Sequence, residues 1–536
     1  MDLIFYHGKI YMERDRFAQA MWIQDGVIRE MGSDAQILQM APPKAKRIDL
    51  DGRLVLPGMN DSHQHLCMVG EHQALCDLSN ADSIAEIQRR CKVFLETYPD
   101  IQGLHGVGWN QDYFTQGEKR PPTRQELDEV SEEIPIVLER VCGHLSSGNS
   151  KALELAGICA DTVIAGGEIW KDAAGMPDGI VTENACSVLD RALPPMDEQQ
   201  LEALYIQAME LAVSQGITSV QSNDVSSRNY TWMLPLWKRL HAQGKLLLRY
   251  RHQCCFMEPQ KYAEFLETVW TQRDQYDDML SLGPLKLFKD GSLGARTALM
   301  RSPYQDDPST CGTEALDQQT MDTLCRMAAD HGQQIVTHVI GDAAVEQTLN
   351  SYEKVIPQEG NILRHGLVHC QITDAPLLQR IADMQVAALV QPIFLHYDLH
   401  IVEDRVGKDL AGTSYAFATL GKLGVPLSLG TDAPVEPFHP FRNIYCAVTR
   451  KDLNGYPPEG FFPAEKMTLS EAIDAYTIGS SYAEFKEDRK GRLKPGYYAD
   501  YIVLDRDIFT LPAEELLQVQ VDMTVVNGSI VYQRVI

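Results

Sequence analysis

The chain has 536 residues, of which 44% are hydrophobic and 23% charged, and its formal net charge is −26. A chain of this length outgrows one core and divides into about two to four domains. The acid excess repels phosphate backbones and anionic lipid surfaces, so neither a nucleic acid nor a membrane is expected as a partner.

The start, MDLIFYHGKIYMERDRF, has no basic region leading into a long apolar run, and no stretch of about 20 apolar residues follows. Neither a secretory signal nor a membrane helix is expected. The 12 cysteines lack C-x-x-C spacing and suit reduced thiols in a cytoplasm; the adjacent Cys254 and Cys255 read as packing.

In chain order, DLIFYHGKIYM, QAMWIQDGVIREMG and KRIDLDGRLVLPG are β-rich runs broken by Gly and Asp at hairpin intervals, without helical periodicity. Next comes LPGMNDSHQHL, Leu56 to Leu66, with two histidines one residue apart. In a strand, alternate side chains share a side, so His63 and His65 can face one point. Two neutral imidazoles are natural ligands for a divalent metal at about 2.0–2.1 Å, although an isolated H-x-H is equally compatible with surface chemistry.

Beyond about residue 68 the chain runs to about residue 200 without the rhythm of a single crossover, and this segment is expected to be an insertion covering the active site. From there, the apolar runs ITSVQS, LLLRYRHQC, PLKLF, QIVTHVI, LRHGLVHC, VAALVQP and PLSLGTDAP alternate with helical stretches such as EQQLEALYIQAMELAVSQ and TMDTLCRMAADH. That alternation predicts a parallel (β/α)8 barrel over 57–483. The closing GRLKPGYYADYIVLDRD and VDMTVVNGSIVYQR return to β texture with Pro-Gly and Asn-Gly turns, so 1–56 plus 484–536 are expected to form one small β-sandwich.

Several predicted strands end in a side chain that can hold a metal: His63 and His65, Lys286 with Lys289 close behind, His338, His369 and Asp432. Taken singly, each has an ordinary reading as a core histidine, a solvated lysine or a turn-starting aspartate. In a barrel, however, all carboxyl ends of strands meet on one face, and there these residues become one site.

With these residues in place, the chain resembles the amidohydrolase superfamily, in particular the amidohydrolase family 3 branch that holds YtcJ-like and N-substituted formamide deformylase-like proteins. LVLPGMNDSHQH, CGHLSSGNSKALELAG, LKLFKDGSLGARTA, THVIGDAA, LRHGLVHCQ, LGTDAPVEPFHPF and MTLSEAIDAYTIGSSYA carry the resemblance. It implies that His63, His65 and Asp432 bind one divalent metal, with zinc expected, and that His338 and His369 bind a second or complete the site. It further implies that Lys286 bridges as a carbamate formed with carbon dioxide, because an ammonium cannot ligate a cation. Lys289 is the rival for that modification; Lys286 is preferred because it stands inside the apolar run.

The expected chemistry is hydrolysis of a linear N-acyl or N-formyl amide by hydroxide on the metal, with Asp432 as proton shuttle. Cyclic-amide hydrolysis or deamination on the same site is the alternative, and a catalytically silent scaffold is a third reading. Arg296 is expected either to hold a substrate carboxylate or to form an ion pair within the loop that begins at Asp290. Asp290 itself, with Trp109, Tyr113 and His144 of the insertion, is expected near the substrate, and Asp342 and Gln371 behind the metal ligands. His365 and His396 are expected to lie outside the ligand set. A small-molecule amide is the expected partner, and a homodimer is compatible with apolar helices on a barrel exterior.

Overall fold

The computed structural model describes residues 2–142 and 144–535. Eight parallel strands follow one another in sequence order around a nearly closed barrel: β1 (Met59–Gln64), β2 (Ile217–Ser226), β3 (Arg249–Cys255), β4 (Leu280–Phe288), β5 (Ile335–Val339), β6 (Gly366–His369), β7 (Ala387–Val390) and β8 (Leu427–Leu429). β1, β6 and β7 are buried at every position. Helices cover one face of such strands and side chains fill the other, so both faces are buried: β6 and β7 are mainly apolar, whereas β1 (MNDSHQ) buries polar side chains.

The helix Gln318–Asp330 shows how a crossover is built. Asp317 caps it by accepting from Thr320 N, and Met321, Leu324, Cys325 and Ala328 recur at helical spacing to form its buried stripe. The seam between β8 and β1 is held beyond the end of β8. Asp432 N donates to His63 O at 2.9 Å and His65 N to Ala433 O at 2.8 Å. The Asp61 carboxylate accepts from Thr431 N at 3.1 Å and from Thr431 Oγ1 at 2.7 Å. Gly430 is required here, because a Cβ would lie 2.7 Å from His63 N.

Strands from both chain ends build two sheets. One has four strands, Val27–Gly32, Ala20–Gln24, Asp2–Tyr6 and Lys46–Asp49 in spatial order. The other has six, Ser529–Gln533, Val521–Val526, Tyr501–Leu504, Leu54–Pro57, Lys9–Glu13 and Arg16–Ala18. Leu3, Phe5 and Met21 of the first share a core with Ile10, Val55, Tyr501 and Val525 of the second, and Phe5 meets Tyr501 edge to face at 5.3 Å. This is the sandwich expected from the two β-rich termini.

One local expectation is corrected. The N-terminal residues are not all strand, because Asp34–Met40 is a helix opened by a capping box in which Ser33 and Gln36 bond each other's backbone N–H. Seven residues are too few for periodicity to register, whereas Ser-x-x-Gln was the available signal.

Gly70–Tyr205 forms a second compact unit. Its six-stranded mixed sheet includes Leu104–Trp109, Ile136–Arg140, Leu145–Gly148 and Pro177–Glu183. Cys76, Leu104, Trp109, Phe114 and Leu138 pack on one side, and Val137, Leu153, Val181 and Leu189 form a separate cluster. Among the described residues, no helix is long and apolar enough to cross a membrane.

Candidate metal centre

The barrel gathers His63, His369 and Asp432 into one buried group whose ligand atoms all lie within 4.8 Å of one another. His63 stands near the carboxyl end of β1, His369 is the last residue of β6, and Asp432 follows β8. Asp432 Oδ1 lies 3.4 Å from Nε2 of both His63 and His65. The His338 ring is centred 4.5 Å from that of His369. His369 and Asp432 hold left-handed backbone, with φ of 74° and 58°. Non-glycine residues there cost about 1–3 kcal/mol, a strain found where a site dictates geometry.

Each histidine is locked through Nδ1. His63 Nδ1 lies 2.7 Å from Gln253 Oε1, and the Gln253 amide nitrogen donates to Ser62 O at 3.0 Å. His369 Nδ1 lies 2.7 Å from Gln391 Oε1, whose amide nitrogen donates to Leu389 O at 3.1 Å. Because each glutamine nitrogen is committed to a carbonyl, its oxygen must accept, so Nδ1 carries the proton and Nε2 keeps its lone pair. His65 Nδ1 donates to Asn223 O at 2.9 Å, and His338 Nδ1 faces Asp290 Oδ1 at 3.1 Å. Four imidazoles are thereby held in the tautomer that metal binding needs.

Burial drives His63 and His369 well below the usual histidine range, assisted by the positive groups around them, so both are neutral. Burial alone would raise Asp432, but its contact with His65 and the nearby His369 hold it below the usual carboxylate range. Burial also depresses His65, yet the carboxylate of Asp432 more than reverses this. Lys286 is 0% exposed, and burial lowers it to about 8. Its Nζ and Asp432 Oδ1 are buried without a hydrogen-bond partner. The neutral imidazoles of His63 and His369 and the anionic Asp432 carboxylate with its unpaired Oδ1 fit a divalent cation, and Lys286 fits one only with its ammonium charge removed.

The other expected site residues fall into different settings. Lys289 Nζ is engaged at 2.6 Å by both Glu314 Oε1 and Leu316 O. Asp290 turns away from a substrate role: its carboxylate accepts from Leu299 N, Ile340 N and Gly341 N besides facing His338. Arg296 forms a two-pronged pair with Asp306 at 3.1 and 2.9 Å, which is the ion-pair alternative. Asp342 accepts from Arg301 N at 2.9 Å, and no bond to a metal-site histidine is seen among the described residues. Gln371 Oε1 is buried without a partner. His365 Nδ1 accepts from Ile335 N at 3.0 Å, and His396 Nδ1 from Leu453 N at 3.2 Å.

In the second unit, Trp109 is 0% exposed within that unit's own core, so its ring is a packing element rather than a pocket wall. Tyr113 is exposed. His144 pairs with Glu183 at 3.0 Å and lines a cleft of about 750 Å³ with Gln111, Arg140 and Cys142. The supporting residues Gln253 and Gln391 were missed from the sequence. Their signal was a lone glutamine inside or directly after a β-rich run, in RYRHQCC and AALVQP.

The profile of the amidohydrolase family matches residues 46–532. The chain belongs to the amidohydrolase family. This amidohydrolase is 34% identical over 540 residues to YtcJ of Bacillus subtilis (strain 168), named as a candidate amidohydrolase, with 100% of each chain covered. It is 27% identical to the N-substituted formamide deformylase of Arthrobacter pascens, over 97% of this chain and 96% of that one. Among solved structures, an uncharacterized metal-dependent hydrolase from Pyrococcus furiosus superposes with a TM-score of 0.78 at 27% identity, covering 95% of this chain and 99% of the other.

Proposed function

We propose that this amidohydrolase uses a divalent metal, with zinc the best match to the donor set, to hydrolyse the C–N bond of a linear N-acyl or N-formyl amide. The observation that carries this reading is the buried His63, His369 and Asp432 cluster with ligand atoms within 4.8 Å, beside the unpaired Lys286. The similarity to a formamide deformylase over nearly the whole chain supports the linear amide as substrate class.

His63, His65, His338, His369, Asp432 and Lys286 would hold the metal. When bound, the metal supplies a Lewis acid and lowers the pKa of water at the site from 15.7 to about 7. Lys286 stands ready for carboxylation, because burial to about 8 leaves part of it neutral near physiological pH. A neutral amine attacks carbon dioxide to form a carbamate and releases one proton. The product carries one negative charge shared over two oxygens, which can act as ligands as a carboxylate does. Lys289 lacks that freedom, since its Nζ is engaged by Glu314 and Leu316.

Asp432 is the proton carrier in this reading. Its Oδ1 is free of hydrogen bonds and its carboxylate is anionic, so it can take a proton from the attacking water and pass it to the leaving nitrogen. An unprotonated amide nitrogen leaves poorly, and without this transfer the tetrahedral adduct returns to substrate.

The test is amine release from a panel of N-formyl and N-acyl amines by the zinc-loaded protein, with Asp432→Asn as control. Release that disappears in the control supports amide hydrolysis. No release from any amide, with bound metal confirmed, moves the reading to cyclic amides or deamination.

A further inference from the structure

Beyond β8 the chain continues through Asp432 into the loop APVEPFHPF, and Glu436 lies in that loop at the carboxyl ends of the strands, where the metal-site residues gather. Its side chain is unusual in three respects. It is 4% exposed, although a glutamate is rarely buried unless paired. Among the described residues, it has neither a hydrogen bond nor an ion pair. The charged groups that act on it are both carboxylates, Asp398 and Asp432.

Neither neighbour can relieve it. Asp398 is occupied by the Tyr415 hydroxyl at 2.6 Å, and Asp432 belongs to the metal centre. The buried Arg450 reaches Tyr415 O at 2.7 Å and Phe461 O at 2.6 Å and makes no ion pair with Glu436. Fold stability would favour an apolar residue or an amide at this position, since a buried acid without a partner is costly. Burial and the two carboxylates raise Glu436 to about 8, which shows how much the site resists an uncompensated anion.

A second buried polar atom without a partner lies on a segment linked to Asp398. Gln371 follows His369 by two residues, and its Oε1 is buried and unbonded. Gln371 O accepts from Tyr415 N at 2.8 Å, and the same Tyr415 bonds Asp398 through its hydroxyl. The stretch that carries Gln371 is therefore tied to the stretch that carries Asp398. Glu436 and Gln371 Oε1 are both acceptors, and what is missing is a donor with positive charge.

We propose that Glu436 is the specificity residue of this amidohydrolase and receives a cationic group, such as an ammonium, on the amine portion of the substrate. The preferred substrates are then N-acyl or N-formyl derivatives of diamines or similarly basic amines. This proposal rests on the amide reading above. A cation in this place turns a destabilised acid into a charge-assisted pair shielded from water, which is stronger than the same pair on the surface.

Two matched amides test it: N-formyl-1,5-diaminopentane, a cation, and N-formylhexylamine, its neutral counterpart of similar length. The wild-type protein is expected to favour the cation in kcat/KM by at least about tenfold, mostly through KM, in line with a hydrogen bond to a charged group. In Glu436→Gln the ratio is expected to fall to near one. Because the ratio is taken within one preparation, loss of folded protein does not change it. If Glu436→Gln does not fold, Glu436→Asp, which keeps the charge on a shorter arm, is expected to lower the ratio. Equal rates for the two amides in the wild type, or a preference that survives in the variants, overturns the proposal. If neither amide is cleaved, binding is read by the thermal shift each produces in zinc-loaded protein. A shift for the cation alone that is lost in the variant upholds the role of Glu436 while the hydrolytic reading fails, and equal or absent shifts overturn it.

Discussion

Gln253 Oε1 lies 2.7 Å from His63 Nδ1 while its amide nitrogen holds Ser62 O at 3.0 Å, so β3 sets the tautomer of a metal-site histidine on β1. Gln391 repeats the arrangement for His369. Gln253→Leu removes the acceptor and frees the ring to rotate or change tautomer. Metal affinity is expected to drop by about 10–100-fold, the usual effect of losing such a partner. Titration with zinc under a competing chelator measures it, and unchanged affinity would remove Gln253 from the support of the site.

Lys286 and Lys289 separate by what they lose. Lys286→Ala is expected to reduce bound metal, because the site loses the group proposed to bridge it. Lys289→Met is expected to keep metal and lose about 1–3 kcal/mol of stability, since Leu316 O would be left buried without its donor. Metal content and urea unfolding of both variants check this pair, and metal loss confined to Lys289→Met would exchange the two roles.

The barrel was legible because strand-like and helical runs alternate along the chain, and the buried His63, His369 and Asp432 cluster because these residues, like His65, Lys286 and His338, stand at or near carboxyl ends of those strands. The sandwich was legible in its turn chemistry. What could not be read were relations across the barrel. Nothing in RYRHQCC says that Gln253 reaches His63, because that contact spans 190 positions and depends on strand register. Asp290 looked like a loop acid beside a ligand, yet the backbone N–H groups of 299, 340 and 341 claim it once the loop folds back. Trp109 was expected near the substrate from the resemblance to the family branch, and the second unit holds it in its own core.

A buried ion pair joins the barrel to the sandwich. Arg249 on β3 meets Asp500 through two bonds, at 2.6 and 3.1 Å, with both side chains almost fully enclosed. Asp500 Oδ1 also accepts from Asn527 N at 2.7 Å. Asp500→Asn leaves the guanidinium buried without its counter-charge, which costs about 3–5 kcal/mol when one partner of such a pair is removed. A fall of that size in the unfolding free energy is expected, and a loss below about 1 kcal/mol would show that the pair contributes little.

His252 predicts how the fold responds to acid. On β3 it is 0% exposed, neither ring nitrogen has a hydrogen-bond partner, and Tyr250 and Trp237 pack at 4.7 and 6.1 Å between ring centres. Burial lowers it from 6.5 to about 3, so the folded state keeps the ring neutral where the unfolded chain would protonate it. The unfolded state therefore binds more protons between those values, and stability must fall as pH drops. The contribution is intact above pH 6.5, declines below it, and levels off under about 3. At pH 5 the deficit relative to pH 7.5 is about 2 kcal/mol, from about 1.4 kcal/mol per unit. His252→Phe keeps an aromatic ring in the cluster and removes the proton site, so its urea midpoint is expected to fall less between pH 7.5 and pH 5 than that of the wild type. Parallel pH profiles of the two proteins would show His252 to be no source of acid sensitivity.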